Sequence, residues 1–404
     1  MPAKSKAQQK LFGIALAVRR GELKRDDVDD EVLNIVDSDM TDKDIEDFAS
    51  TKHKGLKEYI KESILDDEEV VFNDIRIKLE IEKFIEDNYK CKQFTISNKP
   101  NKGEKFIVDG TDILVTNKSI TSLTNNLFIW GKVIGNFHCS FCSSLTSLEG
   151  APEEVSGGFG CYGCDSLTSL EGAPKKVGSD FECASCYSLT SLKGAPKKVG
   201  GDFYCHRCDS LKSLDGAPKE VNGSFSCSQC DSLKSLKGAP KEVGGDFNCG
   251  NCKSLTSLKG APKEVSGFYC HGCDSLKSLE GAPKEVSKNF NCSYCGSLKS
   301  LEDAPKKVGG DFNCSYCVSL KSLKGAPEEV GECFGCAYCK SLISLEGAPE
   351  KVGADFNCSY CVSLKSLEGA PKKVGGDFNC KRYGVKYTED DVKKYTELGG
   401  YVIV

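Results

Sequence analysis

Asp355–Pro371 reads DFNCSYCVSLKSLEGAP, and this stretch is one copy of a unit that recurs through most of the chain. The unit can be written V-x-G-x-F-x-C-x-x-C-x-S-L-x-S-L-x-G-A-P, with a period of 22 residues that shortens once, to 21. A fixed period of this kind predicts a repeat architecture in which each copy covers its neighbours, because a unit this short cannot bury a core alone. The prolines that mark the copies are Pro152, Pro174, Pro196, Pro218, Pro240, Pro262, Pro283, Pro305, Pro327, Pro349 and Pro371.

The order of residues within one copy predicts which side chains face inward. Phe356 and Cys358 alternate with Asn357, as in a half-buried strand with Asn357 outside. The second cysteine then turns a corner, and two leucines and one valine of the copy complete the interior. The Gly-Ala-Pro corner suits proline, whose missing N–H costs little in a turn.

The short copy predicts the fold class. Val265–Leu276 reads VSGFYCHGCDSL, which matches the leucine-rich-repeat pattern with cysteine in its Asn/Cys position. The other copies carry one extra residue between valine and phenylalanine, which we expect a bulge to absorb. The predicted fold is α+β: a right-handed leucine-rich-repeat-like solenoid with one short strand per 22-residue repeat, plus an N-terminal helical module.

Composition excludes several classes of function. A net charge of −5 over 404 residues does not indicate binding to nucleic acid or to a membrane surface. No run of about 20 apolar residues predicts a transmembrane helix. The N-terminal apolar stretch is short and runs into Arg19 and Arg20 rather than a signal-peptide cleavage site. We therefore expect folding in a cytosol, where the 25 cysteines stay reduced.

The CxxC pairs have three possible roles. Consecutive pairs are separated by spacings that fit four-cysteine zinc sites, so zinc binding is one alternative. Thiol redox chemistry is a second, although the helix N-terminus that activates such motifs is not predicted here. We favour buried structural cysteines, since any period near 22 produces zinc-like spacing automatically. The candidate metal ligands of the zinc alternative are Cys139, Cys142, Cys161, Cys164, Cys183 and Cys186.

The ends of the repeat support structural cysteines. Thr111–Leu123 resembles a first coil without cysteines, with Leu114 and Asn117 in the two cysteine positions, or Ile113 and Val115 inward if strict alternation holds. At the far end Cys380 has no partner, because position 383 is a tyrosine. Aliphatic residues do not replace metal ligands.

The outward strand position varies from copy to copy and is polar, which suits an exposed binding face. Acidic residues just before the phenylalanines add a broken stripe. The candidate binding residues on this face are Tyr204, Asn248, Tyr269, Asn291, Asn313, Asp355 and Asn357.

No catalytic grouping is evident. Of the four histidines, His138, His206 and His271 occupy different coils and His53 lies outside the repeat. The glycines belong to the repeat rather than to a phosphate-binding loop. We predict that the protein is not an enzyme and has no cofactor, with zinc as the alternative.

The flanks divide the chain into four predicted parts. Residues 1–56 read as a helical module in which Thr41 caps a helix, and 57–100 as a linker whose helix at 74–89 caps the solenoid. The solenoid spans 101–380. Residues 381–404 read as a C-terminal cap: a helix from Thr388, a Gly399-Gly400 turn and a final strand.

Two resemblances bear on origin. The repeat SLEGAPKKVGGDFNC, with the lead-in TNKSITSL and the ending GGYVIV, resembles leucine-rich-repeat-like proteins of tailed bacteriophages. In the commoner form of that repeat, asparagines stand where this chain has its second cysteine, which implies a structural ladder. AKSKAQQ with DFASTKHKGL is similar to a small uncharacterised phage protein family over about residues 2–56.

These resemblances imply a phage-encoded protein of the bacterial host cytoplasm, with the virion as a second location. We expect a non-enzymatic repeat scaffold for protein–protein interaction. Its expected partner is a virion component or a host protein, with the N-terminal module used for docking.

Overall fold

The computed structural model describes residues 6–28, 30–38, 40–50, 76–97, 105–382 and 387–404. The chain divides into two compact units, 1–83 and 84–404, and each is described by itself. Half of the predicted linker (57–75 and 98–100), together with His53 and Tyr383, lies outside the described residues.

The larger unit is a parallel β-solenoid, which confirms the predicted fold class. In each coil the Phe-x pair forms a short strand that hydrogen-bonds in register to the same pair of the next coil, as Phe203 does to Phe181 and Phe225. We name this series the phenylalanine ladder. Its strands are Phe106–Val115, Phe128–His138, Phe159–Gly160, Phe181–Glu182, Phe203–Tyr204, Phe225–Ser226, Phe247–Asn248, Phe268–Tyr269, Phe290–Asn291, Phe312–Asn313, Phe334–Gly335, Phe356–Asn357, Phe378–Asn379 and Val402–Ile403.

A second parallel series, the valine ladder, pairs the x-Val residues that precede each glycine turn. The sequence predicted one strand per repeat; most coils contain two, because the connection between valine and phenylalanine bends sharply instead of continuing the strand. The strands of the valine ladder are Glu154–Val155, Lys176–Val177, Lys198–Val199, Glu220–Val221, Glu242–Val243, Glu285–Val286, Lys307–Val308, Glu329–Val330, Lys351–Val352, Lys373–Val374 and Glu397–Leu398.

The 21-residue coil interrupts the valine ladder. Ser266 N donates to Gly245 O, the bond that the second glycine makes in a full coil, so one residue is missing between Val265 and Ser266, while Pro262 keeps the 22-residue spacing from Pro240. Residues 263–265 form no strand, although Val265 is still buried, and Phe268 stays in register with Phe247.

The interior follows the sequence pattern. The phenylalanine, both cysteines and both leucines of the coils are almost completely buried, and the valines nearly so. Successive phenyl rings from Phe137 to Phe378 stack with centroids 5.0–5.8 Å apart. Each ring contributes about 1.5–3 kcal/mol by burial alone. The core is one continuous column rather than a set of separate clusters.

The first coil follows strict alternation. Ile113 pairs with Phe137 and Leu114 with His138, so Val115 occupies the first cysteine position. Ile113 and Val115 are buried and Leu114 is exposed. The reading that put Leu114 and Asn117 in the cysteine positions is wrong, because the first coil is one residue shorter after the strand: Leu114 pairs with His138, 24 positions on, whereas Thr146 N donates to Thr121 O, 25 positions back.

Both ends of the solenoid carry additional structure. At the start, Tyr89–Lys90 and Gln93–Ile96 pair antiparallel with Phe106–Val115. Residues 84–88 end a helix described from residue 76, and Phe84 packs edge-on against Phe128 at 6.1 Å.

At the other end, Thr388 caps the helix Glu389–Lys393 through a capping box with Asp391. The final strand predicted after the glycine turn is confirmed at Val402–Ile403, and it extends the phenylalanine ladder.

The smaller unit contains the helices Lys6–Arg19, Asp30–Val36 and Asp42–Ala49 and a 3₁₀ turn at Arg25–Asp27. Thr41 caps the third helix as predicted, with its hydroxyl accepting from Asp44 N and the Asp44 carboxylate accepting from Thr41 N. The Arg19 guanidinium donates to the carbonyl oxygens of Val36, Met40 and Ser38, so it holds the loop between the second and third helices.

A matched glycine pair tests the stacking. An added Cβ at Gly353 would collide with the carbonyl oxygen of Gly331 in the preceding coil, whereas Gly296 has open space. Gly353→Ala should destabilise the solenoid by about 1–3 kcal/mol. Gly296→Ala should be neutral or stabilise by up to about 1 kcal/mol. Urea unfolding midpoints followed by circular dichroism measure both; equal midpoints for the two variants would contradict the close contact between coils.

Candidate functional site: the cysteine ladders and the outward strand face

The first cysteine of each pair lies inward on the phenylalanine ladder. Cys183, for example, is fully buried and its N–H donates to Tyr204 O of the next coil at 2.8 Å. Equivalent bonds join Cys161 to Glu182 and Cys205 to Ser226. The side chain at this position fills space between stacked coils and has no access to water.

The second cysteine forms a repeated thiol hydrogen bond. Its Sγ–H donates to the carbonyl oxygen of the first cysteine in the preceding coil, as Cys186 does to Cys161 O at 3.2 Å. The strand ends at this carbonyl, and a turn residue with positive φ follows it. The thiol provides the carbonyl with the hydrogen-bond donor that a buried backbone oxygen needs. The same bond, 3.1–3.3 Å long, is donated by Cys164, Cys186, Cys208, Cys230, Cys252, Cys273, Cys295, Cys317, Cys339 and Cys361.

Lys118 ends this series at the first coil. Its Nζ donates to Val115 O, the carbonyl at the first cysteine position, and to Ser140 O in the next coil, both at 2.7 Å. A lysine therefore replaces a thiol as donor. This substitution fits a hydrogen-bonding role for the position and does not fit metal ligation.

Burial makes these thiols unreactive. It raises the pKa of Cys183, Cys205 and Cys249 well above the usual value, and neighbouring thiols add to the effect. At neutral pH these three first-position thiols remain protonated, and the thiolate is the form that attacks disulfides and binds metals. Cys91 and Cys333 differ, since both are partly exposed.

The candidate zinc ligands divide between the two positions. Cys139, Cys161 and Cys183 occupy the first cysteine position. At the second position, Cys164 and Cys186 donate the thiol bond, and the Cys142 thiol is directed to Ser140 O instead. Among the residues that the structure describes, no three His, Cys, Asp or Glu side chains converge closely enough to hold a metal ion.

The outward asparagines bond to their own turns. Asn291 Oδ1 accepts from Ser293 N and Asn313 Oδ1 from Ser315 N, both at 2.9 Å. Asn248 does the same with Gly250 N, and Asn357 with Ser359 N. These candidate binding residues thus stabilise the turn through the carbonyl oxygen. The side-chain amide nitrogen of each asparagine takes no part in this hydrogen bond.

Asp355 has a structural contact as well. Its Oδ1 accepts from Asp377 N of the next coil at 2.8 Å. Asp180 and Asp202 make the same contact with the following coil. The acidic stripe predicted from the sequence is therefore a series of bonds between coils, except at Asp246, whose buried Oδ1 has no partner beside the 21-residue coil.

Tyr204 and Tyr269 are the two bulkiest side chains of the predicted face. The Tyr204 hydroxyl donates to the Asp202 carboxylate, which raises the pKa of Tyr204 to about 12, and its ring packs edge-on to His206. Partial burial lowers the pKa of His206 and of His271. These histidines are mostly neutral at pH 7 and form no shared site.

Four stacked tyrosines were not predicted. Tyr294, Tyr316, Tyr338 and Tyr360 follow one another in consecutive coils with ring centroids 4.4, 4.5 and 4.6 Å apart. The signal was present in the sequence as four successive CxYC motifs, at a position that varies elsewhere. We name this group the tyrosine ladder.

Comparisons with known proteins add little beyond the fold. Residues 3–59 match DUF3008, a family of proteins of unknown function. No curated protein matches. The solenoid is similar to a leucine-rich repeat protein from Bacteroides ovatus, with 16% identity over 77% of this chain and 99% of that chain and a TM-score of 0.35. In the part of the chain that the structure describes, no helix has the length and apolar character needed to cross a bilayer.

Thiol reactivity tests the buried ladders. With Ellman's reagent, native protein should show a fast phase only from Cys91 and Cys333, because the remaining cysteines are buried and out of reach of the reagent. The double variant Cys91→Ser/Cys333→Ser should lose that phase, and guanidinium should release the rest. Fast reaction of more than two thiols in native protein would contradict the ladder description.

Elemental analysis tests the zinc alternative. Protein purified under reducing conditions without chelator should contain far less than roughly one zinc per two CxxC pairs, the amount that four-cysteine sites require. A refolded sample supplied with zinc serves as the comparison. Near-stoichiometric zinc in the folded protein would establish the alternative.

Proposed function

We propose that the protein is a non-enzymatic repeat scaffold that binds a protein partner on its outward strand face. The observation that supports this proposal is the contrast between the two sides of the phenylalanine ladder. The inward residues repeat without change, whereas the outward residue differs along the ladder, for example Glu182, Tyr204, Ser226 and Asn248. Regular backbone pairing holds these different side chains on one rigid surface, as in repeat proteins that use extended surfaces for binding.

The chemistry of the coils supports binding rather than catalysis. The cysteines of the CxxC pairs are buried, and the histidines of the repeat lie in separate coils. Outward asparagines and aspartates stabilise turns and coil contacts, so we expect the specific contacts to come from side chains such as Tyr204 and Tyr269. Tyrosine supplies large contact area at low entropic cost.

The partner and its setting rest on the resemblance to phage proteins. A phage-encoded scaffold would act in the bacterial host cytoplasm or in the virion, and its partner would be a virion component or a host protein. The N-terminal helices are the proposed docking module. Neither nucleic acid nor membrane is the expected partner, because the net charge is small and negative.

A pull-down with matched tyrosine variants tests this function. The full chain, immobilised under reducing conditions, is incubated with disassembled virion proteins and with host lysate, and retained proteins are identified by mass spectrometry. Tyr204→Ser/Tyr269→Ser should reduce retention of the specific partner about tenfold or more, as loss of interface tyrosines does. Tyr187→Ser changes an exposed tyrosine beyond the second cysteine and should retain the partner. Absence of any retained protein, or equal retention by both variants, would refute the proposal.

A further inference from the structure

Two coils of the solenoid share a motif that no other coil contains. Residues 203–206 and 268–271 both read FYCH, and they contain the two tyrosines of the proposed strand-face site. The two coils between them carry the smaller residues Ser226 and Asn248 at the outward position. The tyrosines are three coils apart, which corresponds to about 14 Å along the solenoid. They therefore stand at the two ends of a lower stretch of one surface.

The residue two positions before each tyrosine sets the direction of its ring. In one coil the Tyr204 hydroxyl donates to the carboxylate of Asp202. In the other coil Gly267 takes the place of the aspartate, and a Cβ added there would lie 3.1 Å from Cε2 of Tyr269 and 3.2 Å from its hydroxyl oxygen. Glycine thus leaves room for a ring with the same direction. Both tyrosines are half-buried, so their rings are positioned in advance and remain partly accessible.

Negative charge is concentrated in the coils around these tyrosines. We name as the acidic face the segments that run from the residue before each phenylalanine to the residue after the second cysteine in five coils: 180–187, 202–209, 224–231, 246–253 and 267–274. This face contains seven acidic side chains and two basic ones, Arg207 and Lys253. The Lys253 ammonium is already paired with the Asp231 carboxylate at 2.7 Å. The acidic residues are Asp180, Glu182, Asp202, Asp209, Asp231, Asp246 and Asp274.

The following coils have no such excess. The same segments of the next five coils contain three acidic and three basic residues. These are Asp311, Asp355 and Asp377, and Lys340, Lys381 and Arg382. The whole chain carries a net charge of −5 spread over 404 residues, whereas the acidic face alone has an excess of five carboxylates, seven minus two. It is therefore a local surface of one sign.

The carboxylates act directly on both aromatic groups. The hydrogen bond to Asp202 is the largest cause that raises the pKa of Tyr204 to about 12, followed by burial and by further carboxylates nearby. Burial raises the pKa of Tyr269, and the carboxylate of Asp246 adds to the effect. Nearby negative charge disfavours ionisation of a phenol, so both rings lie in a negative potential.

Two features leave this negative charge in place at neutral pH. Asp246 Oδ1 is buried and, within the described residues, has no hydrogen-bond donor. Burial lowers the pKa of His206 and of His271, so the histidines of the two FYCH motifs are mostly neutral at pH 7. The aromatic groups of the acidic face are thus surrounded by carboxylates more than by cations.

This combination of groups selects a partner by charge. A face of one sign attracts a segment of the opposite sign and repels a segment of the same sign. Aromatic rings bind lysine and arginine side chains over their faces, and the surrounding carboxylates pair with the same cations. An extended segment of about five residues covers the distance between the two tyrosines.

We propose that the acidic face binds a basic segment of the protein partner, with lysine or arginine side chains placed on Tyr204 and Tyr269. The inference rests on the proposed function, because it names the chemistry of the partner for the same strand face. The small residues Ser226 and Asn248 leave space for the backbone of the segment between the two rings.

Fluorescence anisotropy with a labelled peptide of six Gly-Arg repeats tests the inference on the full chain, with a peptide of six Gly-Glu repeats as the charge-reversed control. The arginine peptide should bind, more weakly as salt is raised, and the glutamate peptide should not. Tyr204→Ser/Tyr269→Ser should weaken binding of the arginine peptide at least about tenfold. Asp209→Asn/Asp274→Asn, which changes two exposed carboxylates, should weaken it at least about threefold.

Glu302→Gln/Glu368→Gln is the matched control variant. It removes two exposed carboxylates outside the acidic face, so it should bind the arginine peptide like the natural chain. Thermal unfolding of each variant checks that it is folded. An arginine peptide that does not bind the natural chain, or that binds the Asp209→Asn/Asp274→Asn variant and the control equally, would overturn the inference.

The pull-down separates this inference from the proposed function. A protein retained through Tyr204 and Tyr269, together with an arginine peptide that does not bind, leaves the scaffold function standing and refutes the basic partner. An arginine peptide that binds as expected, with no protein retained in the pull-down, supports the acidic face as a site for basic segments and refutes the scaffold function.

Discussion

The structure depends on the in-register hydrogen bonding of each coil to the next at the phenylalanine ladder. Backbone pairing places identical residues above one another, so the residue type at one position of the repeat makes the same contact in every coil. Phenylalanine forms a column of rings, cysteine forms a column of thiols, and aspartate bonds to the following coil. A side chain that fits its own neighbours is favourable in every coil, which explains why the inward positions hardly vary.

The thiol bond explains a residue choice that hydrophobicity alone does not. The carbonyl of the first cysteine has lost its ladder partner because the chain turns, and a buried carbonyl without a donor is costly. A thiol is small enough for the interior and still carries a donor, and asparagine would serve the same need at the surface of a wider turn. Lys118 shows that the donor, rather than sulfur itself, is the requirement.

Sequence reasoning succeeded where one residue type has one physical role. The period, the six inward positions, and the caps at Thr41 and Thr388 follow from alternation and capping rules. It failed where the outcome depends on contacts between coils. Predicting the valine ladder requires knowing how the glycine turn bends, and predicting the role of Asp355 requires knowing where the N–H of the next coil lies. Predicting the tyrosine ladder requires the rotation between successive turns. The candidate asparagines lie on the outward side of the strands and Asp355 just before one, but their side-chain Oδ1 atoms already have intramolecular partners.

The 21-residue coil has a consequence for how the solenoid comes apart. On either side of it, neighbouring coils are joined by two ladders, whereas at residues 263–265 only the phenylalanine ladder continues. In a linear array, stability is a sum of coil and nearest-neighbour terms, and the weakest neighbour term sets the boundary between cooperative blocks. We therefore expect this junction, across which the phenyl stacking and the thiol bond still continue, to be the weakest neighbour contact of the solenoid and the boundary of amide-hydrogen exchange.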